Sequence, residues 1–134
     1  MEKTLQKILY AEDDPDIQEV TLLALESLGD FIVATCDSGE QVVELAQSFK
    51  PDLVLMDVMM PKVDGPTALQ FLHDTKGFEK TPVIFITAKA MGNEIQLFKD
   101  MGALDVISKP YDPMTLCDDI NTIWLDWCAR ASNQ

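Results

Sequence analysis

The sequence predicts an α/β fold: a five-stranded parallel sheet in the order 2-1-3-4-5, with five helices on both faces. Three observations predict it. Short, continuous apolar runs recur along the chain, as in Leu53-Val54-Leu55-Met56 and Val83-Ile84-Phe85-Ile86, and unbroken runs of that length suit strands buried on both faces. Longer segments with apolar residues at helical spacing separate them. Turn and cap residues punctuate every junction.

The first strand is Ile8-Leu9-Tyr10-Ala11, which ends at acids. Asp14-Pro15 then reads as helix cap and first helical residue; Ile17, Val20, Ala24 and Leu28 follow at helical spacing, and Gly29 closes the helix. Phe31 to Thr35 is a second run rich in β-formers. Ser38 with Gln41 matches a capping box, and Val42, Val43, Leu45, Ala46 and Phe49 supply the apolar side of the second helix, which Pro51 stops. Leu53 to Met56 is the third strand and ends at Asp57. The loop from Met60 through Pro61 to Gly65 precedes a helix with Ala68, Leu69, Phe71 and Leu72. Val83 to Ile86 ends at Thr87; a helix through Ile95, Leu97, Phe98 and Met101 closes at Gly102. Val106-Ile107-Ser108 ends at Lys109-Pro110. Asp112-Pro113 caps a last helix with Leu116, Ile120, Ile123, Trp124 and Trp127 on its core side. Five such repeats correspond to the flavodoxin-like (βα)5 arrangement.

All 134 residues are read as a single domain with a core from about residue 7 to 127 and short extensions. A net charge of −13 argues against nucleic-acid binding by this chain and against an anionic membrane surface. No apolar stretch approaches the roughly 20 residues of a membrane helix, and the N-terminus lacks a signal-peptide pattern. Cys36, Cys117 and Cys128 are scattered and odd in number, which suits reduced core thiols and a cytoplasmic location. The last predicted helix ends near the end of the sequence, so no output domain is expected within it.

Four predicted strands stop at polar residues on the same end: Glu12 and Asp13, Asp57, Thr87 and Lys109. In open α/β sheets ligands bind beyond the carboxyl ends of the strands. Three carboxylates, a hydroxyl and an ammonium are therefore expected to converge. Converging carboxylates repel and call for a cation, and an oxygen-only ligand set suits Mg²⁺. A carboxylate is also a nucleophile toward phosphorus, and phosphoryl transfer asks a protein mainly for positioning and charge stabilisation.

With these residues in place, the sequence resembles the response-regulator receiver family. The resemblance rests on Ile8 through Pro15, Asp57 through Gly65, Thr87-Ala88 and Lys109-Pro110, in family order and spacing, and covers roughly Lys7 to Trp127. It implies that Asp57 accepts a phosphoryl group from a histidine kinase or phosphotransfer protein. It implies that Asp13, Asp57 and the Met59 carbonyl ligate Mg²⁺, with Glu12 acting through water. Thr87 and Lys109 would sense the phosphoryl group, the Ala88 backbone N–H would contact it, and the Lys109-Pro110 bond would be cis. A downstream effector protein or fused output domain would read the result on the face of the fourth helix, fifth strand and fifth helix.

The match has departures. Val106 stands where many members carry an aromatic residue that swings inward with the threonine, so readout is expected to rest more on Thr87 and the following loop through Met91. Met59 and Lys89 flank the site without an acid or amide to orient water, so slow self-dephosphorylation is expected. Two other readings fit the sequence less well. A Mg²⁺-dependent phosphatase of the haloacid-dehalogenase type would want an acid at Met59. A degenerate receiver acting as an unphosphorylated interaction module would lack part of the acid, threonine and lysine set. Elsewhere, His73 is read as a surface residue and Trp124 and Trp127 as core.

Overall fold

The computed structural model describes residues 4–88 and 91–132. The chain runs β1 (Lys7–Ala11), α1 (Pro15–Ser27), β2 (Ile32–Cys36), a 3-10 turn (Gly39–Gln41), α2 (Val42–Phe49), β3 (Leu53–Asp57), α3 (Gly65–His73), β4 (Val83–Thr87), α4 (Gly92–Asp100), β5 (Asp105–Ser108) and α5 (Pro113–Ser132). The strands form one parallel sheet in the order β2-β1-β3-β4-β5, as the sequence predicts. The Lys109-Pro110 bond is cis.

Alternation along the strands divides the core in two. Ile8 and Tyr10 of β1, with Leu53 and Leu55 of β3, face α1 and α5, where they meet Leu25, Leu116, Ile120 and Trp124. Leu9 and Ala11, with Val54 and Met56, face the other way onto Val42, Ala46, Ala68, Leu69 and Leu72 of α2 and α3. Tyr10, Leu55, Ile84 and Phe85 are wholly buried. Leu55, Ile84 and Phe85 each contribute about 1.5–3 kcal/mol by leaving water. Trp124 is buried and Trp127 half-buried, with ring centroids 5.3 Å apart.

Asp14 caps α1 by accepting from the Asp16 and Ile17 N–H groups at 2.9 and 3.2 Å. Asp112 accepts from the Met114 N–H at 2.9 Å. The capping box at Ser38 does not form. Ser38 makes no side-chain cap, α2 starts only at Val42 after a 3-10 turn, and the Gln41 side chain accepts from the Asp37 N–H instead.

The buried stripe of α1 also differs from expectation. Val20 and Leu28 are exposed, and Thr21, Ala24 and Leu25 are buried. Ile17, Thr21, Ala24 and Leu25 keep helical spacing, and Thr21 is accepted inside because its hydroxyl is hydrogen-bonded to Tyr111. Phe71 and Leu97 likewise face outward. Gly29 follows the helix for lack of room: a Cβ there would meet the Phe31 ring at 2.6 Å and the Cys117 sulfur at 2.8 Å. The left-handed residue is Asp30, with φ 56°. His73 lies half-buried at the surface, and its ring Nε2 bonds the Thr81 carbonyl at 2.9 Å. The three cysteines are free and buried. Among the described residues no helix is long and apolar enough to cross a membrane.

Candidate phosphoryl and metal site

The sheet order reverses direction at β1, which pairs with β2 on one side and β3 on the other. The crossovers leaving β1 and β3 therefore diverge and open a crevice at the carboxyl ends of these strands. One further ladder bond holds the residue after each of β1, β3 and β5. Glu12 N–H donates to the Cys36 carbonyl at 3.0 Å, Val58 N–H to the Ile86 carbonyl at 3.1 Å, and Lys109 N–H to the Thr87 carbonyl at 2.9 Å. The functional side chains thus stand on the stiff end of the sheet.

The Lys109 ammonium bridges two carboxylates, 2.9 Å from Asp57 Oδ2 and 3.1 Å from Glu12 Oε1. Asp57 Oδ1 accepts from the Met59 N–H at 3.2 Å, and Glu12 Oε2 accepts from the Asp14 N–H at 3.2 Å. Glu12 is 1% exposed, Asp57 5% and Thr87 5%. Asp13 is exposed at the rim, and Met59 is 76% exposed. Burial pushes the Glu12 carboxyl up to about 7; hydrogen bonding and charge repulsion from Asp57 push the same way, while the Asp14 N–H and Lys109 pull it down. Burial works against the Lys109 ammonium, but its bonds to Asp57 and Glu12 outweigh that and hold it above its ordinary value.

Ligand oxygens of Glu12, Asp13 and Asp57 lie within 4.8 Å of one another. Three carboxylates face one ammonium, and an all-oxygen cluster of that size fits a hard divalent cation such as Mg²⁺. The structure brings Glu12, Asp13, Asp57 and Lys109 together, with Thr87 ending the neighbouring strand and exposed Ala88 following it. Lys89 lies outside the described residues. Val106 is half-buried and packs against the core cluster on the α2–α3 face.

Two positioning residues were not legible in the sequence. Gln18 donates to the Glu12 carbonyl at 2.9 Å and to the Cys36 carbonyl at 3.1 Å, tying α1 to the ends of β1 and β2. Its helical spacing from Asp14 was the only signal. Gly65 opens α3 directly against β3. A Cβ there would lie 2.6 Å from the Asp57 carbonyl oxygen, and its N–H donates to the Val58 carbonyl at 2.9 Å.

This sheet order and this acid–lysine site define a signalling receiver module. Residues 8–121 match the family model of the response regulator receiver domain, and the chain belongs to that family. It is 36% identical over 124 residues to the response regulator Rre1 of Synechocystis sp., covering 92% of this chain and 52% of that protein. It is 34% identical over 110 residues to the signal transduction histidine-protein kinase BarA of Escherichia coli K12, covering 82% of this chain and 12% of that one. Among solved structures it is similar to the receiver domain of the sensor histidine kinase PA1611 of Pseudomonas aeruginosa, solved with magnesium coordinated in its active-site cleft. That match has a TM-score of 0.77 at 28% identity and covers 94% of this chain and 99% of that one. The chain spans about half the length of Rre1 and a small part of BarA.

Proposed function

We propose that this chain is a phosphorylation-driven switch in which Asp57 accepts a phosphoryl group from the phosphohistidine of a histidine kinase or phosphotransfer protein. The observation that carries the reading is the Lys109 ammonium held on Asp57 and Glu12 beside Asp13. A carboxylate oxygen of Asp57 attacks phosphorus, the P–N bond to the donor imidazole breaks, and the ring nitrogen keeps the electron pair. Asp13, Asp57 and the Met59 carbonyl would hold Mg²⁺, with Glu12 acting through water. When bound, Mg²⁺ supplies neutralisation of the phosphoryl oxygens. Lys109 stabilises the same developing charge, and the Thr87 hydroxyl and Ala88 N–H donate hydrogen bonds to the transferred group.

Phosphorylation then shifts an equilibrium between two conformations, and a downstream effector or fused output domain reads the face of α4, β5 and α5. The domain works as one unit over residues 1–134, with its core at about 7–127, in the cytoplasm. The buried, free cysteines agree with a reducing compartment.

The test is intact mass spectrometry after incubation with acetyl phosphate, with and without Mg²⁺, beside Asp57→Asn. One added phosphoryl group, dependent on Mg²⁺ and absent from the variant, is the expected result. No adduct under any condition would overturn the reading.

A further inference from the structure

Three hydroxyls meet where β1, α1 and the loop between β5 and α5 touch. Thr21 is 1% exposed and shares a short hydrogen bond with the Tyr111 hydroxyl. Tyr10 is wholly buried on the same face of the sheet. Its hydroxyl lies close enough to both for each to perturb it, yet no atom among the described residues meets it with hydrogen-bond geometry. A buried phenol without a partner is costly, and a hydroxyl oxygen accepts through either of two lone pairs. The cluster therefore has two arrangements: Tyr111 on Thr21 with Tyr10 idle, or Tyr10 donating into the cluster.

Tyr111 also stands two residues from Lys109, whose ammonium rests on Asp57. β5 itself reads Asp105-Val106-Ile107-Ser108 and carries no aromatic side chain, so the aromatic residue nearest Lys109 along the chain is Tyr111. A cavity of about 490 Å³ lies beside this contact, between α1 and the loop; Ile17, Val20, Thr21, Lys109 and Tyr111 are among its lining residues. Thr21 is the one polar side chain among the buried residues of α1.

We propose that Tyr111 is a positioning residue that couples the charge state of Asp57 to α1, by exchanging its hydroxyl between Thr21 and Tyr10 when Lys109 shifts. The proposal rests on the phosphorylation reading above. It gives the switch a second arm, on the α1 side of the sheet, away from α4.

Amide hydrogen exchange of the full chain with Mg²⁺, with and without beryllofluoride as phosphoryl mimic, tests it. In the wild type, peptides spanning residues 15–27 should change exchange rate by about three- to tenfold, the ratio one net hydrogen bond carries. Peptides around Asp57 report mimic binding independently. Tyr111→Phe should bind the mimic at Asp57 yet lose the α1 response. Tyr10→Phe leaves the Thr21–Tyr111 bond in place and removes only an unpartnered hydroxyl, so it remains folded should Tyr111→Phe not be; without the mimic it should exchange no faster than wild type, and it should lose the response with the mimic. A purely structural role would instead speed the exchange measured without the mimic. An α1 response that persists in Tyr10→Phe, or that is missing from the wild type while the Asp57 peptides respond, overturns the coupling. Silence at both places overturns the phosphorylation reading, and the coupling with it.

Discussion

α4 and α5 follow the last two strands of the sheet, yet they are held very differently. α5 buries Leu116, Ile120 and Trp124 against the sheet and α1. α4 has no buried residue; Phe98 is half-buried, edge-on to Phe85 with centroids 5.3 Å apart, and Leu97 is 53% exposed. Local stability follows buried apolar contact, and elements that move are drawn from its low end. α5 is thus scaffold. α4, which comes soon after Thr87, is the helix that burial holds least.

That contrast is open to direct attack. Trp124→Ala in α5 should cost about 3–5 kcal/mol in urea denaturation, while Leu97→Ala in α4 should stay within about 0.5 kcal/mol. Equal costs would break the comparison. Amides of α4 should also exchange well before those of α5.

Gly65 sharpens the same point at α3, whose first residue lies against the Asp57 carbonyl. Gly65→Ala forces a Cβ against the Asp57 carbonyl and should cost about 1–3 kcal/mol of stability. It should also slow phosphoryl uptake by about 10–100-fold, the penalty for misplaced reacting groups. Uptake at the wild-type rate would show that Asp57 tolerates the shift.

Met59 is exposed beside the site and offers no side-chain group to orient water. The phosphorylated protein should be long-lived, and Met59→Asn should shorten its lifetime by about tenfold, one hydrogen bond's worth of barrier. Phosphate loss no faster than wild type would contradict this.

The smallest effect concerns the thiols. Burial pushes the Cys36 thiol up to about 11, and its sulfur donates to the Ser38 carbonyl. At pH 8 only about one molecule in a thousand carries that thiolate. A thiol reagent should therefore react slowly with Cys36 until the protein is unfolded.

The sheet order was legible because unbroken runs such as Leu53 to Met56 have one stable home, between two helical layers. The acids and Lys109 were legible because each ends such a run. The face of α1 was not. Val20 and Leu28 fit a helical stripe as well as Thr21 and Leu25 do, and a threonine reads as polar until its partner is known. Ser38 carries a capping-box pattern, yet an extended Ser38 before a 3-10 turn leaves the box unmade.

By itself, then, the sequence determined the class of fold, the ends of the strands and the residue types gathered there, because these follow from local periodicity and from which groups avoid burial. Only the tertiary structure decided that Lys109 bridges Asp57 and Glu12, that Gly65 lies against the Asp57 carbonyl, and that Tyr10, Thr21 and Tyr111 share one pocket of hydroxyls. Those contacts join residues far apart in the chain, and their geometry is set by how the helices pack across the sheet, which no local pattern encodes.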